Sequence, residues 1–178
     1  MLSGGMDVLY LLGADECDLS RLGETFVIYQ GSHGDRGAER ADVIFPGAAY
    51  TEKSATYVNI EGRAQQTLKA VFPPGDAKED WTIIRALSEH TGKTLPFDNL
   101  RELRAAMYKV APQLAALDTI EARTPSGLET LAKLSGKPSS DAFALAISDF
   151  YLTNPIARAS AVMAGLSQLR LSRENKSS

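Results

Sequence analysis

The stretch with most to offer chemistry is residues 41–67, where Glu52, Glu61 and Arg63 stand in and after a loop crowded with small residues. Arg63 follows Glu61-Gly62 at a turn, where a guanidinium can clamp a phosphate or a partner carboxylate through two parallel hydrogen bonds. It can equally pair locally with Glu52 or Glu61. A second polar loop carries Gly31, Gly34 and Gly37 after an apolar run. Its Gly-x-x-Gly-x-x-Gly spacing is not the Gly-x-Gly-x-x-Gly that brings a helix amino end to a pyrophosphate, so a compact turn using positive φ is expected instead of nucleotide binding. His33 and Asp35 in that loop have the types of an acid–base pair. No serine or cysteine nucleophile is placed beside them, so ordinary loop contacts are expected. Cys17 lies between Glu16 and Asp18, a setting that disfavours its thiolate and a redox role.

Composition removes several classes of function. One cysteine leaves no internal disulfide and no iron–sulfur cluster held by four cysteines of this chain, and two histidines make a self-contained zinc site improbable. A formal charge of -3 gives no basic face for nucleic acid. No apolar run approaches the roughly 20 residues of a membrane span, and Met1 to Val8 lacks the pattern of a secretory signal.

Short strands must position the polar loops. Asp7 to Leu12 is an apolar run ended by Gly13 and reads as a strand buried on both faces. Residues 14–21 allow a short helix. Phe26 to Tyr29 is a second strand, and Val43 to Phe45 is a third, buried one stopped by Pro46-Gly47. Thr56-Tyr57-Val58 is another β-prone run, closed by the turn at Glu61-Gly62-Arg63. The expected architecture is α/β, a small, mostly parallel, Rossmann-like sheet followed by helices. In such sheets the loops beyond the carboxyl ends of the strands are where ligands bind.

From Pro73-Pro74-Gly75 the pattern turns helical. Trp81, Ile84 and Leu87 predict a helix over 78–91 with Gly92 just past its end. Asn99 with Glu102 predicts a capping box, and Leu100, Leu103, Met107 and Val110 mark a buried stripe. Ser126 with Glu129 starts a shorter helix bearing Leu128, Leu131 and Leu134. Gly136 to Asp141 reads as a linker. Asn154-Pro155 then opens a last helix with Ile156, Ala159, Met163 and Leu166 on one face, and 171–178 read as frayed. Trp81 and Tyr151 read as core or interface anchors. The chain thus divides into an α/β part over 1–72, a helical continuation over 73–135, and a linker with a carboxyl-terminal helix over 136–178.

At residues 41–67 the sequence resembles a known signature. Ala41-Asp42-Val43-Ile44-Phe45-Pro46-Gly47 with Glu52-Lys53, then Thr56-Tyr57-Val58-Asn59-Ile60-Glu61-Gly62-Arg63-Ala64-Gln65, is similar to molybdopterin-oxidoreductase-like domains. There an apolar run ending in Leu-Pro precedes Glu-Lys, then Thr and an aromatic, then Asn-Thr-Glu-x-Arg-x-Gln. The resemblance is closer to one branch, the large peripheral iron–sulfur subunit family of respiratory complex I. Tyr29-Gln30-Gly31-Ser32-His33-Gly34-Asp35, Glu79-Asp80-Trp81, Leu95-Pro96-Phe97-Asp98 and Asp149-Phe150-Tyr151-Leu152-Thr153-Asn154-Pro155 carry it as well, over about residues 7 to 165.

This resemblance implies a carboxyl-terminal part of a longer polypeptide, as a fragment or as the product of a split gene. The [2Fe-2S] and [4Fe-4S] clusters that carry electrons from NADH toward quinone would then lie in the amino-terminal part, with no cofactor in this segment. It implies a structural and assembly role, with the rest of the subunit and other peripheral-arm subunits as partners. The place would be the matrix face of the mitochondrial inner membrane or the cytoplasmic face of a bacterial one. Active molybdenum enzymes use the loop to hold pterin. Here Ile60 replaces the usual threonine and Ala55 a common glycine, as fits a relic of that site formed by Pro46, Gly47, Glu52, Lys53, Thr56, Asn59, Glu61 and Arg63. Trp81, Tyr151, Asn154 and Arg158 are the candidate interface residues. The alternative is a pterin- or nucleotide-binding portion of an active oxidoreductase.

Overall fold

The structure, a computed structural model, describes residues 5–16, 18–120, 127–134, 136, 140–143, 147 and 149–174. Strands β1 (Val8–Leu12), β2 (Phe26–Gly31) and β3 (Val43–Pro46) form a parallel sheet in the order β1-β2-β3. The α/β expectation therefore holds. Helix α1 (Arg36–Arg40) lies between β2 and β3. No helix forms among the described residues of 14–21, where Ser20 and Arg21 lie in a turn and the Asp18 carboxylate takes the Ser20 amide and hydroxyl. A short acidic side chain that binds nearby backbone competes with helix formation.

Burial is one-sided. Leu11, Leu22, Val27 and Tyr29 make the core, with Leu9, Leu19, Ala38 and Ala41 packed against them. Val8, Leu12, Phe26 and Ile44 remain exposed. The expectation of a strand buried on both faces is thus corrected for β1, and that of a buried strand for β3. Both lie at the edges of a three-stranded sheet, and an apolar run alone does not reveal how many layers cover it.

Beyond β3 the chain makes an antiparallel hairpin of β4 (Thr56–Val58) and β5 (Ala64–Gln66). Gly62 sits at φ 85°, which a side chain would strain. Lys78 then returns beside β3, bridging Gly47, so that α2 (Asp80–His90) begins at the carboxyl edge of the sheet. The helix ends in a Schellman arrangement: Gly92 N–H donates to Glu89 O and Lys93 N–H to Ser88 O, both at 3.2 Å. Asn99 caps α3 (Leu100–Val110) by accepting from Glu102 N–H at 3.0 Å. Glu102 reaches back one residue further than expected, to Asp98 N–H at 2.9 Å. Leu100, Leu103 and Met107 are half-buried, but Val110 is exposed, so the stripe on α3 is shorter than its pattern.

A single helical turn at Pro112–Ala115 leads to Asp118, which joins β5 through its amide. The short helix α4 is Leu128–Ala132; its proposed cap Ser126 lies outside the described residues, as do Lys137, Pro138 and Ser139 of the proposed linker and residues 175–178. The expected last helix is two: α5 (Pro155–Ala159) and α6 (Ala161–Glu174). Ser160 is extended between them, its carbonyl starting the ladder of α6 and its hydroxyl accepting from Met163 N–H at 3.4 Å. Helix α6 also carries 171–174, where fraying was expected.

Candidate functional site

Two clusters of polar side chains gather at the carboxyl ends of the parallel strands, and both are built from residues far apart in sequence. The first starts from Gln30, at the end of β2 and fully buried. Its Oε1 accepts from the Tyr10 hydroxyl on β1. Its Nε2 donates to Asp80 Oδ1 at 2.9 Å, in the first turn of α2. The other Asp80 oxygen holds the Lys53 ammonium. Tyr10, Gln30, Asp80 and Lys53 thus form one chain of partners across the mouth of the sheet. Burial, with the charge of Asp80 adding to it, pushes the Tyr10 phenol up from its ordinary value.

Gly47 explains why this cluster is tight. A Cβ there would come within 2.9 Å of Asp80 Oδ1 and 3.4 Å of the Gly31 carbonyl carbon. Gly31 and Gly37 also serve close approach: a Cβ at Gly31 would strike the Tyr29 ring, and one at Gly37 would meet Asp15 and Tyr29 at 2.8 Å. None of Gly31, Gly34 and Gly37 adopts positive φ. The expectation of a positive-φ turn is corrected to one of steric clearance around Tyr29.

The second cluster surrounds Arg158 of α5. Its guanidinium meets Asp15 Oδ1 at 2.5 Å, Asp35 at Nε, and Glu16 at 3.8 Å. The Asp15 side chain is fully buried, and its other oxygen accepts from Gly37 N–H at 3.3 Å. Burial opposes the Arg158 charge, but the hydrogen bond to Asp35 and the charges of Asp15, Asp35 and Glu16 outweigh it and raise its affinity for protons. Asp35 is therefore engaged by Arg158, while His33 Nδ1 meets Ser32 Oγ at 3.0 Å. Burial, and then the Asp15 and Asp35 charges, push the Tyr29 phenol up beside them.

The remaining loop residues have internal partners as well. Glu52 accepts from Ala49 N–H at 2.9 Å. Asn59 Oδ1 accepts from the amides of Glu61 and Arg63 at 3.1 and 2.9 Å and so builds the hairpin turn. Arg63 pairs with neither Glu52 nor Glu61 in an ion pair; its Nη1 donates to the Asp118 carbonyl at 2.8 Å. Pro46 accepts at its carbonyl from Lys78 N–H, and Thr56 pairs with Gln66 across the hairpin. Asp80 thus stands over Gly47 and holds Lys53, and Arg63 gives Nη1 to the Asp118 carbonyl, so these groups have partners within the chain.

Of the interface candidates, Trp81 is half-buried, edge-on to Phe97 at 6.4 Å, and donates from Nε1 to Glu79 Oε2 at 3.0 Å. Tyr151 stands edge-on to Phe150 at 5.7 Å in a helical turn, Phe150–Leu152. Asn154 caps α5 by accepting from Ala157 N–H at 2.9 Å. Asp15, Gln30 and Asp80 escaped the sequence reading. The signals were of position: Gln30 directly follows the apolar run of the second strand, Asp15 lies just past the Gly13 that ends the first, and Asp80 stands in the first turn of the helix expected over 78–91. Among the described residues no group of three or more His, Cys, Asp or Glu side chains could hold a metal ion. No helix among them is long and apolar enough to cross a membrane.

Comparison with known proteins agrees with the loop signature. The model of the molybdopterin oxidoreductase family matches residues 1–90, and a model of the carboxyl-terminal region of an NADH-ubiquinone oxidoreductase subunit matches 119–166. The chain is 47% identical over 161 residues to the NADH-ubiquinone oxidoreductase 75 kDa subunit of Reclinomonas americana, covering 90% of this chain and 23% of that protein. It is 47% identical over 164 residues to the mitochondrial NADH dehydrogenase (ubiquinone) iron-sulfur protein 1 of Solanum tuberosum, covering 90% and 22%. With the mitochondrial 78 kDa subunit of Neurospora crassa the identity is 43% over 166 residues, covering 88% and 22%. The chain spans less than a quarter of the length of these relatives. It belongs to the molybdopterin oxidoreductase family, in the branch of the large iron–sulfur subunit of complex I.

Proposed function

We propose that this chain is a structural and assembly segment of complex I, which passes electrons from NADH to quinone with proton translocation, and that it carries no redox centre itself. The observation that carries this reading is the state of the sheet's carboxyl edge. In an α/β sheet that edge is the ordinary place for a ligand. Here Lys53, Asp80 and Gln30 satisfy one another on one side, and Arg158 satisfies Asp15 and Asp35 on the other. The former cofactor loop serves packing. Iron–sulfur clusters belong to other parts of the subunit, and its partners are those parts and neighbouring peripheral-arm subunits, on the matrix or cytoplasmic face of the membrane.

Within this role the segment from Phe143 through α6 is a brace. Trp81, Tyr151, Asn154 and Arg158 set its shape and docking, and Arg158 is its tie to the sheet. Deleting residues 141–178 in the cell tests the reading. Reduced incorporation of the chain into complex I, with less assembled complex on native gels, is expected. Normal assembly and NADH–quinone activity would overturn it. Metal and pterin analysis of the purified complex supplies a second check: stoichiometric molybdenum or tungsten with a pterin would overturn the relic reading of the loop.

A further inference from the structure

A cavity of about 350 Å³ opens on the helical side of the loop, lined among others by Thr56, Tyr57, Trp81, Leu103, Arg104 and Met107. Its lining carries Lys53 and Arg104 against Glu79 and Asp80, but the four do not pair off among themselves. Asp80 is held by Lys53, and Glu79 is held by Trp81 Nε1 and by Lys69 at 3.7 Å. Arg104 has no such counterpart: its Nε and Nη2 are buried and reach no hydrogen-bond acceptor in the protein. Two buried donors of a charged group left without acceptors carry a large desolvation penalty, which an anion at that point removes. Beside Arg104 the lining is mostly apolar, with Tyr57, Trp81, Leu100, Leu103 and Met107, so a bare hydrated ion is a poor match.

We infer that this cavity binds a carboxylate borne on an apolar or aromatic body, with the carboxylate on Arg104 and the body against Trp81, Tyr57, Leu103 and Met107. Lys53, Ser54 and Thr56 of the loop form one wall of the cavity, and the inference does not depend on the assembly role. Guanidinium and carboxylate match as planar partners with two parallel hydrogen bonds. The carboxylate can come from a free small acid or from an aspartate or glutamate flanked by apolar residues in another polypeptide.

Trp81 is the only tryptophan of the chain, so its indole N–H resonance reports on the cavity directly. The full 178-residue chain, labelled with nitrogen-15, is titrated with phenylacetate, with its neutral analogue phenylacetamide, and with the peptide acetyl-Phe-Asp-Phe-amide. A saturable shift of the Trp81 signal with phenylacetate or the peptide, and binding of phenylacetamide about tenfold weaker or worse, is expected. Tighter binding of phenylacetate points to a free acid as the natural occupant, and tighter binding of the peptide to a side chain. Arg104→Gln should abolish the preference for acid over amide, and Arg104→Lys should keep part of it. The proposal is overturned if neither carboxylate gives a saturable shift, or if amide and acid bind alike. Unchanged acid binding in a folded Arg104→Gln chain overturns it too. Should Arg104→Gln fail to fold, the acid–amide comparison on the unsubstituted chain decides alone.

Discussion

Arg158 illustrates how much of this molecule rests on charges that sequence spacing cannot pair. Asp15 and Asp35 lie far from it in the chain, yet all three meet at the carboxyl ends of β1 and β2. Removing Arg158 leaves Asp15 buried and uncompensated, which costs about 3–5 kcal/mol when a buried pair is broken from one side. Arg158→Ala is therefore expected to lower the urea midpoint strongly. Arg158→Lys should recover little of it, because one ammonium cannot span two carboxylates as the guanidinium does. Asp15→Asn combined with Arg158→Ala should lose less than the sum of the single changes, and strict additivity would show that the pair is not coupled.

Asp80 makes a parallel case with a neutral partner. Asp80→Ala removes the nearer of two acceptors of the buried Gln30 Nε2, leaving it the Asp80 backbone carbonyl at 3.2 Å, and releases Lys53. A loss of about 1.5–3 kcal/mol in denaturant melting is expected, from the broken charge-assisted bonds of Gln30 and Lys53 to the carboxylate. Asp80→Asn can still accept from Gln30 and should cost clearly less. Equal losses would place the stabilisation elsewhere.

At the scale of elements, local signals carried far and tertiary ones did not. Asn99, Asn154 and Gly92 mark helix ends through bonds made within a few residues, so their roles could be read directly from the chain. The break at Ser160 was missed because the apolar spacing of Ile156, Ala159, Met163 and Leu166 runs straight through it. A serine between alanines was the available clue, since its hydroxyl accepts from the first turn of α6. The loop residues Asn59, Lys53 and Arg63 were recognisable as polar and turn-forming. Their partners Asp80 and Asp118 arrive from later elements, and no local rule pairs them.

Asp149 joins the turn Phe150–Leu152 to α6. Its carboxylate accepts from the Ser167 hydroxyl and from Tyr151 N–H at 3.0 Å, with Arg170 at 3.9 Å. The Ser167 bond, opposed next by burial and then aided by the Tyr151 amide and the Arg170 charge, holds its affinity for protons below the usual carboxylate value. A carboxyl depressed in the folded state adds stability at neutral pH, and that contribution is lost as pH falls through its folded value. Amide-exchange protection of α6 should therefore fall at the acid end of the carboxylate range. Asp149→Asn should show weaker protection at neutral pH and little further loss on acidification. An unchanged acid profile in that variant would remove Asp149 as the cause.

At the scale of the molecule, many large apolar side chains among the described residues stay exposed. Ile60, Leu68 and Phe72 are 104%, 85% and 86% exposed, and they lie at the tip of the hairpin and on the strap that follows it. Isolated exposed apolar residues are ordinary, but several large ones along one contiguous segment mark an interaction surface. Within the fold the Lys69 ammonium lies over the Phe72 ring at 5.3 Å, and a neighbouring part of complex I could bury all three side chains. Changing Ile60, Leu68 and Phe72 together to serine should shift the chain's own melting by no more than surface substitutions do, about 0.5 kcal/mol each. The same triple change should reduce incorporation into the complex on native gels, because the area lost is the area a partner would cover. A variant that melts several kcal/mol lower would assign these residues to the fold, and one that assembles normally would leave the hairpin face without a partner. The two readouts separate the patch from the Arg158 tie, whose loss is expected to weaken both.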